Sequence, residues 1–146
     1  MIDFLSFHPG AFIACALVLG LLVGSFLNVL VWRLPKMLEH DWQAQARELL
    51  AMPAAEKGPV YNLMLPHSHC PHCQHPLRAR ENIPLLSYAL LRGKCSQCNT
   101  AISLRYPLTE LACGLLSAFI AWHFGVSGQA GWMLVLTWGL LAICLI

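Results

Sequence analysis

Two pairs of cysteines carry the most specific chemistry in this chain. Cys70 and Cys73 form one C-x-x-C turn, and Cys95 and Cys98 form a second after the 21 intervening residues 74–94. Four thiolates from two such turns can surround a tetrahedral Zn²⁺, although the spacer is slightly longer than the usual length of about 15–20 residues. We therefore predict a structural zinc site whose ligands are Cys70, Cys73, Cys95 and Cys98.

Histidines near the first turn leave a second ligand set open, because a mixed cysteine and histidine site is also chemically sound. Four thiols at paired spacing need no histidine. We therefore predict that the nearby histidines surround the site without binding the metal: His67, His69, His72 and His75. A disulfide or a redox-active thiol pair is the main competing interpretation of the cysteines. The segment has little apolar surface to bury, and we expect its fold to depend on the metal.

The composition indicates a membrane protein. Hydrophobic residues make up 58% of the 146-residue chain and charged residues only 11%, against about 25% charged residues in an ordinary soluble domain. All nine Lys and Arg residues lie between Arg33 and Arg105, and such clustering beside membrane spans marks a cytoplasmic loop. A reducing cytoplasm keeps the loop thiols available for metal. The basic residues are scattered and the net charge is only +2, so we predict no binding to nucleic acid.

These patterns predict an all-α polytopic membrane protein with about three transmembrane helices and a small zinc-knuckle loop domain. We expect a periplasmic N-terminus over residues 1–10, transmembrane helices over 11–32, 108–124 and 132–146, a periplasmic turn over 125–131, and a cytoplasmic loop over 33–107 that contains an amphipathic helix (37–52) and the zinc segment (67–98). The third span begins near Trp132 and covers too few residues to cross a bilayer, so we expect the chain to be a piece of a longer protein.

The first predicted span has a face of small residues. Residues 11–32 carry no charge, and as a helix they would cover about 33 Å, enough for a bilayer core. We expect Pro35 to end this helix. Ala16, Gly20, Gly24 and Asn28 recur every four residues, which predicts close packing on another helix with a hydrogen bond from Asn28. A role for Ser25 and Asn28 in a binding or catalytic site is the alternative.

The remaining cysteines and the acidic residues suggest structural roles. Cys15, Cys113 and Cys144 lie in apolar runs and are predicted to be buried. Asp3 is expected outside the membrane and Asp41 in the cytoplasm, so the two cannot form a catalytic pair. We expect Glu110 to stabilise a helix start, and the other glutamates to be solvated surface charges: Glu39, Glu48, Glu56 and Glu81.

Several stretches together resemble the bacterial type IV prepilin peptidases, and the resemblance covers nearly the whole chain. They are residues 24–29 (GSFLNV), 33–35 (RLP), 68–73 (SHCPHC), 82–88 (NIPLLSY), 93–98 (GKCSQC), 102–107 (ISLRYP) with Glu110, and 137–142 (TWGLLA).

The resemblance implies an aspartic protease of the bacterial inner membrane, with a periplasmic N-terminus and the cysteine loop in the cytoplasm. Such enzymes cut the basic leader from type IV prepilins and type II secretion pseudopilins after a glycine. They then methylate the new N-terminal residue with S-adenosylmethionine, for which no site can be assigned here. The family's catalytic aspartates lie beyond the stretch that ends at Ile146, so we predict no catalytic residue and no proteolytic activity in this chain. The alternatives are a zinc-bearing membrane adaptor that binds a protein partner and a membrane thiol oxidoreductase.

Overall fold

The computed structural model describes residues 8–53, 61–65, 68–70, 72–76 and 85–146. Within these ranges the chain forms the helices α1 (Pro9–Leu49), α2 (Leu86–Leu90), α3 (Arg105–Phe124) and α4 (Gly128–Leu145). Helices α1, α3 and α4 are each long and apolar enough to cross a membrane. The predicted class, an all-α polytopic membrane protein with about three spans, is confirmed.

Helix α1 is much longer than predicted. It contains 41 residues, about 60 Å at the usual helical rise, which is twice the thickness of a bilayer core. The prediction that Pro35 ends this helix is wrong, because the helix continues to Leu49. Proline deprives the Val31 carbonyl of its helical donor. The following stretch, 37–49, is rich in residues of high helix propensity, so one lost hydrogen bond does not end the helix.

The predicted amphipathic helix 37–52 is therefore the second half of α1. Two large apolar residues at helical spacing in this stretch are exposed: Trp42 keeps 63% of its surface accessible, and Leu49 keeps 87%.

The turn between the last two helices is shorter than the predicted range 125–131. Helix α4 begins at Gly128 because the Ser127 hydroxyl accepts a hydrogen bond from the Ala130 amide at 3.2 Å, which caps its first turn. Helix α4 therefore has 18 residues, about 27 Å in length. Our expectation of a start near Trp132 and a span too short for a bilayer is corrected.

The small-residue face of α1 packs directly on α3, as predicted. A methyl group added to Gly24 would lie 2.8 Å from the Cα atom of Glu110, and one added to Gly20 would lie 2.7 Å from the Cβ atom of Ser117. Asn28 donates a hydrogen bond from Nδ2 to the Tyr106 carbonyl at 3.1 Å, which confirms the predicted interhelical bond. Shape and this polar contact together fix α1 against α3.

Helix α4 joins this pair through a buried hydroxyl. Trp138 donates from Nε1 to Ser117 Oγ at 3.0 Å, and Ser117 Oγ donates to the Cys113 carbonyl at 2.8 Å. Cys113 is buried, as predicted. The same prediction is wrong for Cys15 and Cys144, which lie on exposed faces of α1 and α4. Periodicity placed all three in apolar helices but did not determine which faces turn inward.

Candidate metal centre and adjoining cavity

The first C-x-x-C turn is closed by two backbone hydrogen bonds. The Cys70 amide donates to the His75 carbonyl, and the Gln74 amide donates to the Cys70 carbonyl, both at 2.9 Å. Gln74 adopts a positive φ of 58°, a region that residues other than glycine enter only in special turns. An isolated antiparallel bridge between His69 and Pro76 brackets the turn.

The second turn repeats this geometry at equivalent positions. The Cys95 amide donates to the Thr100 carbonyl at 2.9 Å, and the Asn99 amide donates to the Cys95 carbonyl at 3.1 Å. Asn99 has a positive φ of 56°, and a bridge joins Lys94 to Ala101. The two segments are therefore copies of one local fold, each presenting two sulfur atoms from the same side of a turn.

Hydrogen-bond donors near the sulfurs favour thiolate at two positions. The backbone N–H of Cys73, followed by that of His72, is directed at Cys70 and holds the pKa of its thiol below the ordinary value. The Thr100 hydroxyl lies 3.2 Å from Cys98 Sγ. Together with the Thr100 backbone N–H, it lowers the pKa of Cys98 to about 6. A thiolate is the form of cysteine that binds metal.

Cys73 has the opposite tendency. The backbone N–H of His75 lowers the pKa of Cys73, but desolvation and the neighbouring thiols outweigh it and raise the value to about 11. Those neighbours are Cys98, Cys70 and Cys95. Without a cation, the cluster therefore keeps some sulfurs protonated, because four thiolates so close together would repel one another.

The four sulfur atoms form a compact group that fits a tetrahedral metal. All four lie within 4.8 Å of one another, with 3.7 Å between Cys70 and Cys98 and 3.9 Å between Cys73 and Cys95. Four sulfurs placed tetrahedrally around zinc at the usual bond length would be about 3.8 Å apart. All four cysteines are free thiols, so the chain brings together the predicted ligands and leaves them available for a cation.

The histidines do not enter this group in the described part of the chain, where its members are cysteines alone. His67 lies outside the described residues. The donor set of four soft sulfurs suits Zn²⁺ or an iron–sulfur cluster. The geometry therefore defines a candidate metal site without identifying the metal.

A glycine joins the second turn to α2 and to the segment that leads into α3. The Gly93 amide donates to the Tyr88 carbonyl at 2.9 Å, and the Gly93 carbonyl accepts from the Ile102 amide at 2.7 Å. Gly93 has a φ of +69°, and a side chain there would lie 2.7 Å from the Tyr88 hydroxyl. This close approach requires glycine, and the two hydrogen bonds link the second cysteine turn to α2 and to the segment before α3.

Glu110 has a role that sequence reasoning missed. Helix α3 has no acid in its first turn, so the prediction that Glu110 stabilises the helix start is wrong. The residue is buried with 8% of its surface exposed, and its Oε2 atom accepts a hydrogen bond from the Leu85 amide at 2.8 Å. Leu85 immediately precedes α2, so the carboxylate joins α2 to α3. An acid beside a long uncharged stretch was the available signal, because such groups in membranes are costly and usually have a partner.

Arg33 is a second buried polar residue that the sequence did not distinguish from a membrane-end charge. Only 8% of it is exposed, and it donates from Nη1 to the Asn62 carbonyl at 3.0 Å. The Asn62 side chain in turn accepts from the amides of Met64 and Leu65 at 2.8 and 2.7 Å. Arg33 thus holds the loop 61–65 against α1.

A cavity of about 670 Å³ lies between α1, the cysteine turns, α2 and the start of α3. Its lining includes both residues for which a site role was the alternative, Ser25 and Asn28, together with the buried Arg33 and Glu110. The structure therefore combines the two interpretations of Asn28, which bonds α3 and also faces this cavity.

The other carboxylates are placed away from the cavity lining or lie outside the described residues. Asp41 is largely exposed on α1, where 68% of its side chain is accessible. Glu39 and Glu48 are also exposed on that helix, in agreement with their prediction as solvated charges. Asp3, Glu56 and Glu81 lie outside the described ranges.

The chain is similar to one protein family and to several known proteins. The family described as the Bacterial Peptidase A24 N-terminal domain matches residues 18–124. The chain is 65% identical over 145 residues to a prepilin leader peptidase/N-methyltransferase of Stutzerimonas stutzeri, covering 99% of this chain and 50% of that protein. No solved structure matches the chain.

Other relatives carry the same name. The Pseudomonas aeruginosa protein is 60% identical over 146 residues, covering all of this chain and 50% of the relative. The Neisseria gonorrhoeae protein is 49% identical over 132 residues, covering 90% of this chain and 46% of the relative. The chain thus spans about half the length of the curated relatives it matches.

Proposed function

The chain belongs to the bacterial peptidase A24 family, and from this we propose that it is the N-terminal part of a prepilin leader peptidase and N-methyltransferase. Its substrates are type IV prepilins and type II secretion pseudopilins, whose basic leader is removed after a glycine. The observation that carries the proposal is identity of 65% and 60% to two proteins of that name across essentially the whole chain. The paired cysteine turns and the glycine-packed first helix support it.

The proposed reaction has two steps. Water first hydrolyses the peptide bond after the leader glycine, which releases a carboxylate and a new α-amine. The neutral amine then displaces a methyl group from the sulfonium of S-adenosylmethionine, leaving a thioether and releasing a proton. Aspartic proteolysis needs two carboxylates that share a proton. We place this pair outside the present chain, whose described carboxylates are three exposed residues on α1 and the hydrogen-bonded Glu110.

We assign zinc to the four-cysteine site, bound by Cys70, Cys73, Cys95 and Cys98. Zinc there would supply four bonds that cross-link the two turns. A site with four thiolate ligands has no open position for water or substrate, so the role is structural. The metal would stabilise the segment that positions α2 and the base of α3.

The proposed location is the bacterial inner membrane, with a periplasmic N-terminus and a cytoplasmic loop over 33–107. The support is the confinement of all basic residues to the stretch from Arg33 to Arg105, together with three helices long enough to cross a bilayer. The partners are the lipid bilayer and the precursor proteins, without nucleic acid.

The test uses the purified full-length protein and the 146-residue chain side by side. Each is incubated with a prepilin and S-adenosylmethionine, and the pilin mass is followed. The full-length protein should remove the leader and add one methyl group, while the shorter chain should do neither. Cleavage by the shorter chain would contradict the proposal that the catalytic carboxylate pair lies outside it. An inactive full-length protein that retained its metal and bound a partner protein would favour the adaptor interpretation.

A further inference from the structure

The cavity beside the cysteine turns has the dimensions of a small-molecule site. Its volume of about 670 Å³ falls within the range of about 300–1,000 Å³ that is usual for ligand pockets. Its lining comes from the middle of α1, the loop residue Tyr61, the cysteine turns, α2 and the start of α3. Two of its lining residues, Arg33 and Glu110, are more than nine-tenths buried.

The charged groups of the lining have opposite signs on different elements. Helix α1 contributes Arg33 and Lys36, and helix α3 contributes Glu110. Glu110 uses Oε2 to accept the Leu85 amide. Because a carboxylate has about four acceptor sites, it can still bind a cationic group. The lining therefore suits a ligand that carries both a negative and a positive charge.

Four aromatic residues contribute to the remaining wall. Trp32, Tyr61, Tyr88 and Tyr106 line the cavity, and aromatic faces both stack on flat heterocycles and attract cations. Trp32 already shows this property, since Lys36 Nζ lies 4.4 Å from the centre of its ring. A ligand with a planar base and a positive charge would complement such a wall.

We propose that this cavity binds S-adenosylmethionine, the methyl donor of the function proposed above, on which this inference rests. The ligand's carboxylate meets Arg33 and Lys36, its sulfonium meets Glu110, and its adenine stacks on the aromatic wall. The basic leader of a precursor is a poor alternative occupant, because Arg33 and Lys36 would repel it. A zwitterionic phospholipid headgroup shares the two charges but lacks the planar base.

The test measures binding without turnover. The full-length protein in lipid nanodiscs is titrated with S-adenosylmethionine and with a non-transferable analogue, and dissociation constants are determined by calorimetry. Lys36→Ala and Glu110→Gln should each weaken binding about tenfold or more, the effect of losing one charged contact. Glu110→Gln keeps an oxygen that can accept the Leu85 amide. The matched controls are Arg47→Ala and Glu48→Gln on the far part of α1, which should bind normally.

The outcomes separate this site from other occupants. Normal binding by Lys36→Ala and by a folded Glu110→Gln would overturn the proposal, and a folded state is checked by retained metal and an unchanged melting temperature. The exposed Lys36 keeps the test decisive if Glu110→Gln fails to fold. If the two variants lost co-purified phosphatidylethanolamine but bound the donor normally, the cavity would be assigned to lipid. That result would also overturn the proposal.

The proposed function is tested separately in the same preparations. If the unaltered protein cleaves and methylates a precursor while both variants bind the donor normally, only the assignment of the cavity is wrong. Unaltered protein that neither cleaves nor methylates counts against the proposed function instead.

Discussion

The contact between α1 and α3 and the paired cysteine turns are held together by different forces. At the helix contact, backbone approaches backbone so closely that a methyl group on Gly24 would lie 2.8 Å from Glu110 Cα. In the cysteine turns, few side chains are buried: Cys70 and Cys95 are, whereas Cys73 and Cys98 remain exposed. Shape therefore holds the first region, and we propose that bonds from four sulfur atoms to a metal hold the second.

This difference indicates how the two regions should respond to perturbation. A close-packed interface resists change in proportion to the volume added or removed. A small segment without a core depends on the bonds that cross-link it. We expect the helices to tolerate the loss of metal and the cysteine turns to tolerate helix mutations, and four predictions test that independence.

The largest effect should follow removal of the metal. Structural zinc contributes about 10–16 kcal/mol of apparent folding free energy in small finger peptides. After chelation, or in Cys95→Ser, backbone amides in the turns, such as those of Cys95 and Asn99, should exchange with deuterium at least about 100-fold faster. The amides of the buried middle of α3 should keep their protection. Hydrogen exchange read by mass spectrometry measures both regions in one sample.

The exposed Cys144 provides the control for that experiment, since Cys144→Ser should retain both the metal and the slow exchange. Turns that stayed protected without metal would show that the cysteine region folds on hydrogen bonds alone. Loss of protection in α3 would show that the two regions are coupled.

The next effect concerns shape at the helix contact. Gly24→Leu would place its side chain against Glu110 and Cys113, and overpacking of this kind costs about 1–3 kcal/mol or more. Unfolding by SDS in mixed micelles should show that loss, with the metal content unchanged. Gly139→Leu is the matched control, because nothing lies within 4 Å of a methyl group there. Equal losses in the two variants would exclude close packing as the cause.

A smaller effect should follow removal of the interhelical hydrogen bond. Asn28→Ala removes the 3.1 Å bond from Nδ2 to the Tyr106 carbonyl, and such bonds average about 0.6 kcal/mol in membrane proteins. The same SDS titration should show a decrease of that order in the free energy of unfolding. Gln43→Ala, on an exposed part of α1, should change stability less. A loss of stability above about 2 kcal/mol would exceed the measured range for such bonds and would mean that Asn28 supports more than this bond.

The smallest predicted effect is a gain in metal affinity from a substitution in the cysteine turns. Gln74 has a positive φ of 58°, which costs most L-residues about 1–2 kcal/mol. Gln74→Gly should therefore tighten metal binding several-fold, measured by competition with a chromophoric chelator. Asn99→Gly should give a smaller gain, because asparagine tolerates this conformation better. A larger gain at Asn99 than at Gln74 would contradict the assignment of the gain to backbone strain.

Much of the architecture follows from local features of the sequence. Uninterrupted apolar stretches are sufficient to predict three spans, because burying backbone in a membrane requires long helices. The four ligand candidates follow from spacing alone, since each C-x-x-C places two sulfurs on one turn. The glycine face of α1 was also predictable, because residues four apart share one side of a helix.

Other features depend on partners far away in the chain. Glu110 bonds Leu85 across 25 positions and Asn28 bonds Tyr106 across 78, and no local pattern specifies such pairs. Proline is a helix-ending signal, yet α1 continues through Pro35.

The sequence by itself determined which segments are apolar enough for the membrane and which four thiols can share a metal, because length and spacing suffice for both. Only the tertiary structure decided that Glu110 joins two helices, that Arg33 is buried and that a cavity separates α1 from the cysteine turns. These properties arise when distant segments pack together, and their free energy depends on contacts that no single stretch of sequence contains.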